Sequence, residues 1–143
     1  MSLRNNFLAQ YGHAAHIDKA LDSEDNNISK TAAENPNISA KNLDKALNHE
    51  NSMVRYHATH NPNLSKRHLD KLMLGDNISR MAVAGHKNAT KEHLDKAFSD
   101  KDSGVRYCAV LNPNATKEDL KKASLDTDHD VSHEAKHKIG LLK

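Results

Sequence analysis

The sequence predicts an all-α fold: a right-handed α–α superhelix (a solenoid) of about five two-helix repeats with a period of 26 residues, one unit having 25. Three observations lead there. Residues 55–72, RYHATHNPNLSKRHLDKL, return at 106–123 as RYCAVLNPNATKEDLKKA, with nine of eighteen positions identical and no gap. One aliphatic anchor recurs at Ile17, Leu43, Leu69, Leu94 and Leu120. A second recurs at Ile28, Val54, Ile78, Val105 and Val131, each followed four residues later by an alanine (Ala32, Ala58, Ala82, Ala109, Ala135). The composition agrees. At 36% hydrophobic and 3% aromatic residues, the 143-residue chain is lean for a round core and adequate for a thin continuous one.

The repeats run over 10–35, 36–61, 62–86, 87–112 and 113–138 within a single domain, 1–143. Each opens on a hydroxyl residue (Ser39, Ser65, Thr90 or Thr116 in the last four) placed to cap a helix by accepting a first-turn N–H. Glu92 and Glu118 follow in that turn, where negative charge suits the helix dipole. Apolar residues at helical spacing, such as Leu94, Ala97 and Phe98, define the first helix. A polar link, SDKDSG at 99–104, leads to the second helix, in which Val105 and Ala109 stand one turn apart.

Asn-Pro-Asn closes the unit. Asn61 and Asn112 are expected to end the helix in a left-handed conformation, and Pro62 and Pro113 to prevent its continuation. The triplet reads as structural punctuation. Arg55 and Arg106 are expected to pair with a carboxylate or carbonyl of a neighbouring unit. The first repeat replaces the turn by Gln-Tyr-Gly-His, and the last has VSHEAKHK where inner copies have VRYCAVL; both fit polar end caps. The third has a shortened link, LMLGDN, and GHKN for Asn-Pro-Asn, so an irregularity is expected there.

Neither helix is stable alone. Each spans roughly 8–10 residues, short of the ~12–15 needed for marginal stability in water. A unit buries about four large apolar side chains at roughly 1.5–3 kcal/mol each. Ordering its backbone costs about 1–2 kcal/mol per residue. Stacking against neighbours is therefore obligatory.

The pattern anchor–Arg–x–x–Ala…Asn-Pro…Leu…Asp resembles the variant leucine-rich repeat, over about residues 10–138. The element Val54-Arg55 to Ala58, repeated as Val105-Arg106 to Ala109, is also similar to HEAT-like repeats. Ser29, Ser79 and Ser132 take the arginine position in the other units. The resemblance implies a superhelix of paired short helices, one of each pair often 3₁₀. Some variant leucine-rich repeat proteins carry a cysteine-ligated iron–sulfur segment. Cys108 is this chain's one cysteine, so that feature does not transfer.

Chemistry is sparse. Cys108 reads as a packed small residue rather than a reactive thiol. No nucleophile–base–orienter set and no phosphate-binding glycine motif is present. The recurring Asp18, Asp44, Asp70 and Asp95 are structural by their repetition. An enzyme is not expected, and no cofactor is called for. His129, His133 and His137, at i, i+4 and i+8, are the weak candidates for a metal; the alternative is a solvated face. The candidate partner-binding residues are Lys30, Tyr56, Arg80, Tyr107 and His133, two places beyond the second anchor and turned ~200° from it. Tyrosine and arginine are favoured binding anchors; the alternative is tyrosines packed over neighbours beside solvated charges. The expected function is a non-catalytic scaffold for an unidentified protein or peptide partner.

Nucleic-acid binding is the alternative, because residues 36–86 carry seven Lys/Arg against four Asp/Glu, plus five histidines. The near balance of 21 basic and 19 acidic residues argues against strong non-specific attraction to nucleic acid or membrane. With no apolar run of membrane-spanning length and no signal peptide visible, a cytoplasmic monomer is expected.

Overall fold

The computed structural model describes residues 14–141, which form ten α-helices and no strand; the Gln10–His13 opening of the first repeat lies outside the described residues. The chain divides into two compact units, 1–65 and 66–143. The first holds α1 (Ala14–Leu21), α2 (Asn26–Glu34), α3 (Ala40–Leu47) and α4 (Ser52–Thr59). The second holds α5 (Lys66–Leu72), α6 (Asn77–Gly85), α7 (Lys91–Phe98), α8 (Ser103–Leu111), α9 (Lys117–Ala123) and α10 (His129–Leu141). Odd-numbered helices open a repeat and even-numbered ones close it. The chain is thus an all-helical repeat protein built from successive helix pairs. Both members of every described pair are α-helical, where the resemblance implied a 3₁₀ member.

Caps explain why such short segments are helical. Ser39, Thr90 and Thr116 accept the backbone N–H of Asn42, His93 and Asp119 at 3.1, 3.2 and 3.0 Å. At Thr90 and Thr116 the bond is reciprocal, since the His93 ring and the Asp119 carboxylate accept the threonine N–H. The even-numbered helices carry their own cap series. Asp25, Asn51, Asp76, Asp102 and Asp128 accept first-turn N–H groups at distances from 2.7 to 3.1 Å.

In the unit 1–65, α2 packs on α4 and α1 on α3, around Ile17, Leu21, Ile28, Leu43 and Val54. In the unit 66–143, α8 packs between α6 and α10. One cluster there joins Ala84, Leu94, Ala97, Val105 and Ala109; another joins Val110, Leu120, Val131 and Ala135.

The cap series corrects the register of the third repeat. Eight residues separate the first anchor from the second cap in four repeats (Leu94 to Asp102, for example), but seven separate Leu69 from Asp76. Counting three residues on from each cap, the second anchor is Ile28, Val54, Ser79, Val105 and Val131. Ile78, expected as an anchor, is 51% exposed. Val83 is buried at the place held elsewhere by Ala58 and Ala109, where Ala82 was expected. The third repeat thus exchanges the large and small residues of one turn, Ser79/Val83 for Val105/Ala109. Gly75 closes its short link, where a Cβ would press within 3.2 Å of the Leu72 carbonyl and the Ser79 Cβ.

Asn-Pro-Asn also differs from expectation. Asn35 and Asn112 are extended, with φ/ψ of −61/122° and −66/126°, and no described residue has positive φ. The proline that follows favours that geometry. His86 adopts it too (−77/139°) with Lys87 in place of proline, so proline is not its sole cause. The side-chain amide supplies the other. Asn112, 1% exposed, donates through Nδ2 to the Ala84 and His86 carbonyls at 2.8 and 3.0 Å. Asn61 repeats this on Ala33 and Asn35 at the same distances. Each Oδ1 then accepts the N–H two residues on, from Asn114 at 2.8 Å and Asn63 at 2.9 Å. In the last repeat Lys138 Nζ takes over, donating to the Val110 carbonyl at 2.7 Å.

Urea denaturation checks both points. Asn112→Ala removes two buried bonds and orphans two carbonyls, so it is expected to cost roughly 2–4 kcal/mol. Asn112→Asp sets an acceptor against those carbonyls and is expected to cost more. Ile78→Ala should stay within about 0.5 kcal/mol of the parent, whereas Val105→Ala should lose roughly 1.5–3 kcal/mol. Equal losses at the two sites would refute the corrected register.

Candidate functional site: a groove between second helices

The shifted register moves Arg80. It stands one place after Ser79, aligned with Arg55 and Arg106, and so departs from the expected outward stripe. Arg80 forks onto Asp100, with Nε and NH2 at 2.8 and 3.3 Å from its two oxygens. Arg106 repeats the fork on Asp126 at 2.9 and 3.2 Å. Each arginine also ties down the link before its own helix, Arg80 through the Gly75 carbonyl and Arg106 through that of Asp100, both at 2.8 Å. Arg55 does the second job alone, on the His49 and Glu50 carbonyls. Ser29 does it with a hydroxyl, on the Ala20 and Ser23 carbonyls.

Burial opposes the charge on Asp100 and Asp126, whose side chains are 8% and 13% exposed. The facing guanidinium and a backbone N–H outweigh it, so both carboxyls are held below the usual carboxylate range. Asp100 and Asp126 also accept the N–H of the caps Asp102 and Asp128. The ladder positions the even-numbered helices.

Met81, not Arg80, shares the repeat position of Lys30, Tyr56, Tyr107 and His133. In the unit 1–65, Lys30 is half-buried, and Tyr56 is 45% exposed with its ring 4.5 Å from that of His60. In the unit 66–143, three consecutive second helices form a groove of about 350 Å³. Met81 comes from α6, and Ser103, Gly104 and Tyr107 from α8. Asp130, His133 and Glu134 come from α10, with Asp128 in the link before it. Met81 and Tyr107 also rest on the two core clusters. Gly104 lines the groove where a Cβ would be crowded, 2.9 Å from Asp102 Oδ1 and 3.4 Å from Met81 Sδ. Other repeats carry Asn27, Met53, Ile78 or Asp130 at that place.

Of the residues expected to bind a partner, the groove therefore brings together Tyr107 and His133. Sequence reasoning missed Met81, because it followed a false anchor, and Asp130 and Glu134, because they do not repeat. The cap series Asp25, Asn51, Asp76, Asp102, Asp128 was the signal that could have found Met81.

The His129 and His133 rings stack at 5.7 Å. Among the described residues no three His, Cys, Asp or Glu side chains are placed to share a metal ion. Cys108 is half-buried, and burial pushes its thiol up, away from the reactive thiolate. Away from this groove several exposed charges form pairs along their own helices. Lys66 meets Asp70, Lys91 meets Asp95 and Lys96 meets Glu92. His93 accepts the Thr90 N–H at Nδ1, which leaves Nε2–H to donate to Asp70 at 2.6 Å.

The fold and its repeated caps, amides and ion pairs define a helical repeat protein. Among solved structures it is similar to one described as a leucine-rich repeat variant with a novel repetitive protein structural motif, at a TM-score of 0.50 and 18% identity. The match covers 92% of this chain and 64% of that one, so the chain spans less than two thirds of that structure's length. The similarity establishes the fold. No protein-family model and no curated protein matches the chain. No described helix is long and apolar enough to cross a membrane.

The ion-pair ladder predicts an acid-sensitive fold. Both aspartates have depressed folded pKa values, so their contribution is complete above the unfolded value of ~3.9 and is lost as pH falls through the folded values. Asp100→Asn with Asp126→Asn should be less stable than the parent at pH 7. The gap should narrow towards pH 2. Urea midpoints across that range measure it; a gap independent of pH would assign the loss to packing alone.

Proposed function

We propose that this chain is a non-catalytic repeat scaffold that binds a protein or peptide through the outward sides of its second helices. One observation carries the reading: Met81, Tyr107 and His133, from three successive repeats, line one groove. Tyrosine contributes a large rigid contact area with a polar tip, the usual chemistry of a binding anchor. Tyr56 and Lys30 hold the equivalent repeat position in the unit 1–65 and extend the reading to it. Arg80 leaves the proposed contact set, since its guanidinium is committed to Asp100 and the Gly75 carbonyl. His133 enters as a contact residue rather than a metal ligand.

Part of the charge behind the nucleic-acid alternative is already committed to protein partners. Lys45 is bonded to Asp18 and Asp22, Lys66 to Asp70 and Arg80 to Asp100. Phosphate binding would have to break those pairs, so a gel-shift titration at low salt is expected to show no retardation.

Affinity capture from the source cell tests the main reading. A partner recovered by the parent chain should be lost or much reduced with Tyr56→Ala, Tyr107→Ala and His133→Ala combined, the variant's fold being verified by its melting curve. Equal recovery by a folded variant would refute the proposal.

A further inference from the structure

The groove holds two carboxylates, Asp130 and Glu134, that no cation answers. Asp128, Asp130 and Glu134 line it, and no lysine or arginine does. Asp130 and Glu134 enter no ion pair with another described residue, whereas Asp70, Asp95, Asp100, Glu92, Glu118 and Asp126 each have one. Asp128 is the α10 cap, so its Oδ1 faces the Val131 N–H. An aromatic ring and a thioether lie beside these acids, in Tyr107 and Met81.

From this we infer that the groove is a recognition site for a cationic side chain, arginine or lysine, presented by a basic peptide segment of the partner. The inference rests on the scaffold reading above and names the chemistry of its occupant. Three features select that occupant. The unpaired carboxylates supply acceptors for a guanidinium or ammonium, the charge-assisted kind of hydrogen bond. Tyr107 offers a π face and Met81 a polarizable surface for the aliphatic stem, as cation–π and snorkelling contacts require. Finally, Gly104 borders the site with no side chain of its own, where the other repeats carry one. A bare metal ion fits less well, since the groove's acids and His133 are not placed to converge on one point.

The probe is a blocked, fluorescein-labelled peptide with two arginines in a glycine–serine frame, compared with its citrulline and glutamate counterparts. Anisotropy titration should show binding of the arginine peptide that weakens with added salt. The citrulline peptide should bind at least about tenfold more weakly. Asp130→Asn with Glu134→Gln should weaken the arginine peptide by a similar factor with no change in melting temperature. Amide shifts in ¹H–¹⁵N spectra should concentrate at residues 103–107 and 128–134. Equal binding of the arginine and citrulline peptides, unchanged affinity in the double variant, or shifts centred elsewhere would each overturn the inference. A captured partner that depends on Tyr107 but is indifferent to Asp130→Asn and Glu134→Gln would also overturn it, while leaving the scaffold reading standing.

Discussion

The buried side-chain amide that closes a repeat is the interaction on which the rest depends. A helix of seven to nine residues leaves four carbonyls unpaired at its end, and stacking carries those carbonyls away from water. Asn61 and Asn112 answer that problem by crossing to the previous repeat: one NH₂ group satisfies two carbonyls there, and the same amide's oxygen holds its own turn. The two amides sit at matching distances from matching partners, so the bond also sets the repeat's register. A leucine in that place would bury apolar area and orphan the carbonyls, a poor exchange in a low-dielectric interior. Lys138 keeps the cross-repeat link at the last repeat with a single ammonium group, whose remaining protons do not have to be satisfied inside.

Much of the fold was legible because it is written several times. Anchors, hydroxyl caps and the Asn-Pro-Asn stop recur, and repetition separates rule from accident. What failed was local arithmetic in the third repeat. The link is visibly one residue short, but its effect on the register of the second helix is masked because Ile78 offers a plausible anchor beside the real site. Hydrophobicity alone favours isoleucine over serine, but the helix obeys its cap, Asp76, and the cap puts Ser79 inward. The exposed Ile78 and the inward Val83 are two results of one shift. The conformation of the closing asparagine was misread for another reason. Asparagine tolerates the left-handed region, but a sequence does not display the buried carbonyls that compete for its side chain.

The same slip hid Arg80's place in the ion-pair ladder. With Ser79 as anchor, Arg80 joins Arg55 and Arg106, and Asp100 and Asp126 become its counterpart series. A guanidinium suits this place because it grips a carboxylate with two parallel bonds and still has a donor for the backbone of its own link. Where the ladder is broken the chain substitutes locally. Ser29 replaces the arginine with a hydroxyl, and the exposed Leu74 stands where Asp100 and Asp126 stand in later repeats.

The repeat also explains why the candidate site had to be found at departures from it. A residue that returns in every unit meets the same surroundings each time, so its role is shared and structural. Asparagine, arginine and the cap aspartates fit that description. A groove with its own chemistry needs residues that converge once. Gly104 is one such break, since the other repeats fill that place. Asp130 and Glu134 are others, adding charge to α10 with no lysine or arginine in the groove to answer it. Elsewhere in the unit 66–143 six carboxylates have a cation, four of them on exposed helix faces where a pair contributes little. Unanswered charge clustered beside a tyrosine is the exception, and it lies where the repeat is interrupted. Tyr107 and Met81 belong to both categories: each holds the repeated position, rests on the core, and borders the groove that the other repeats' side chains would fill.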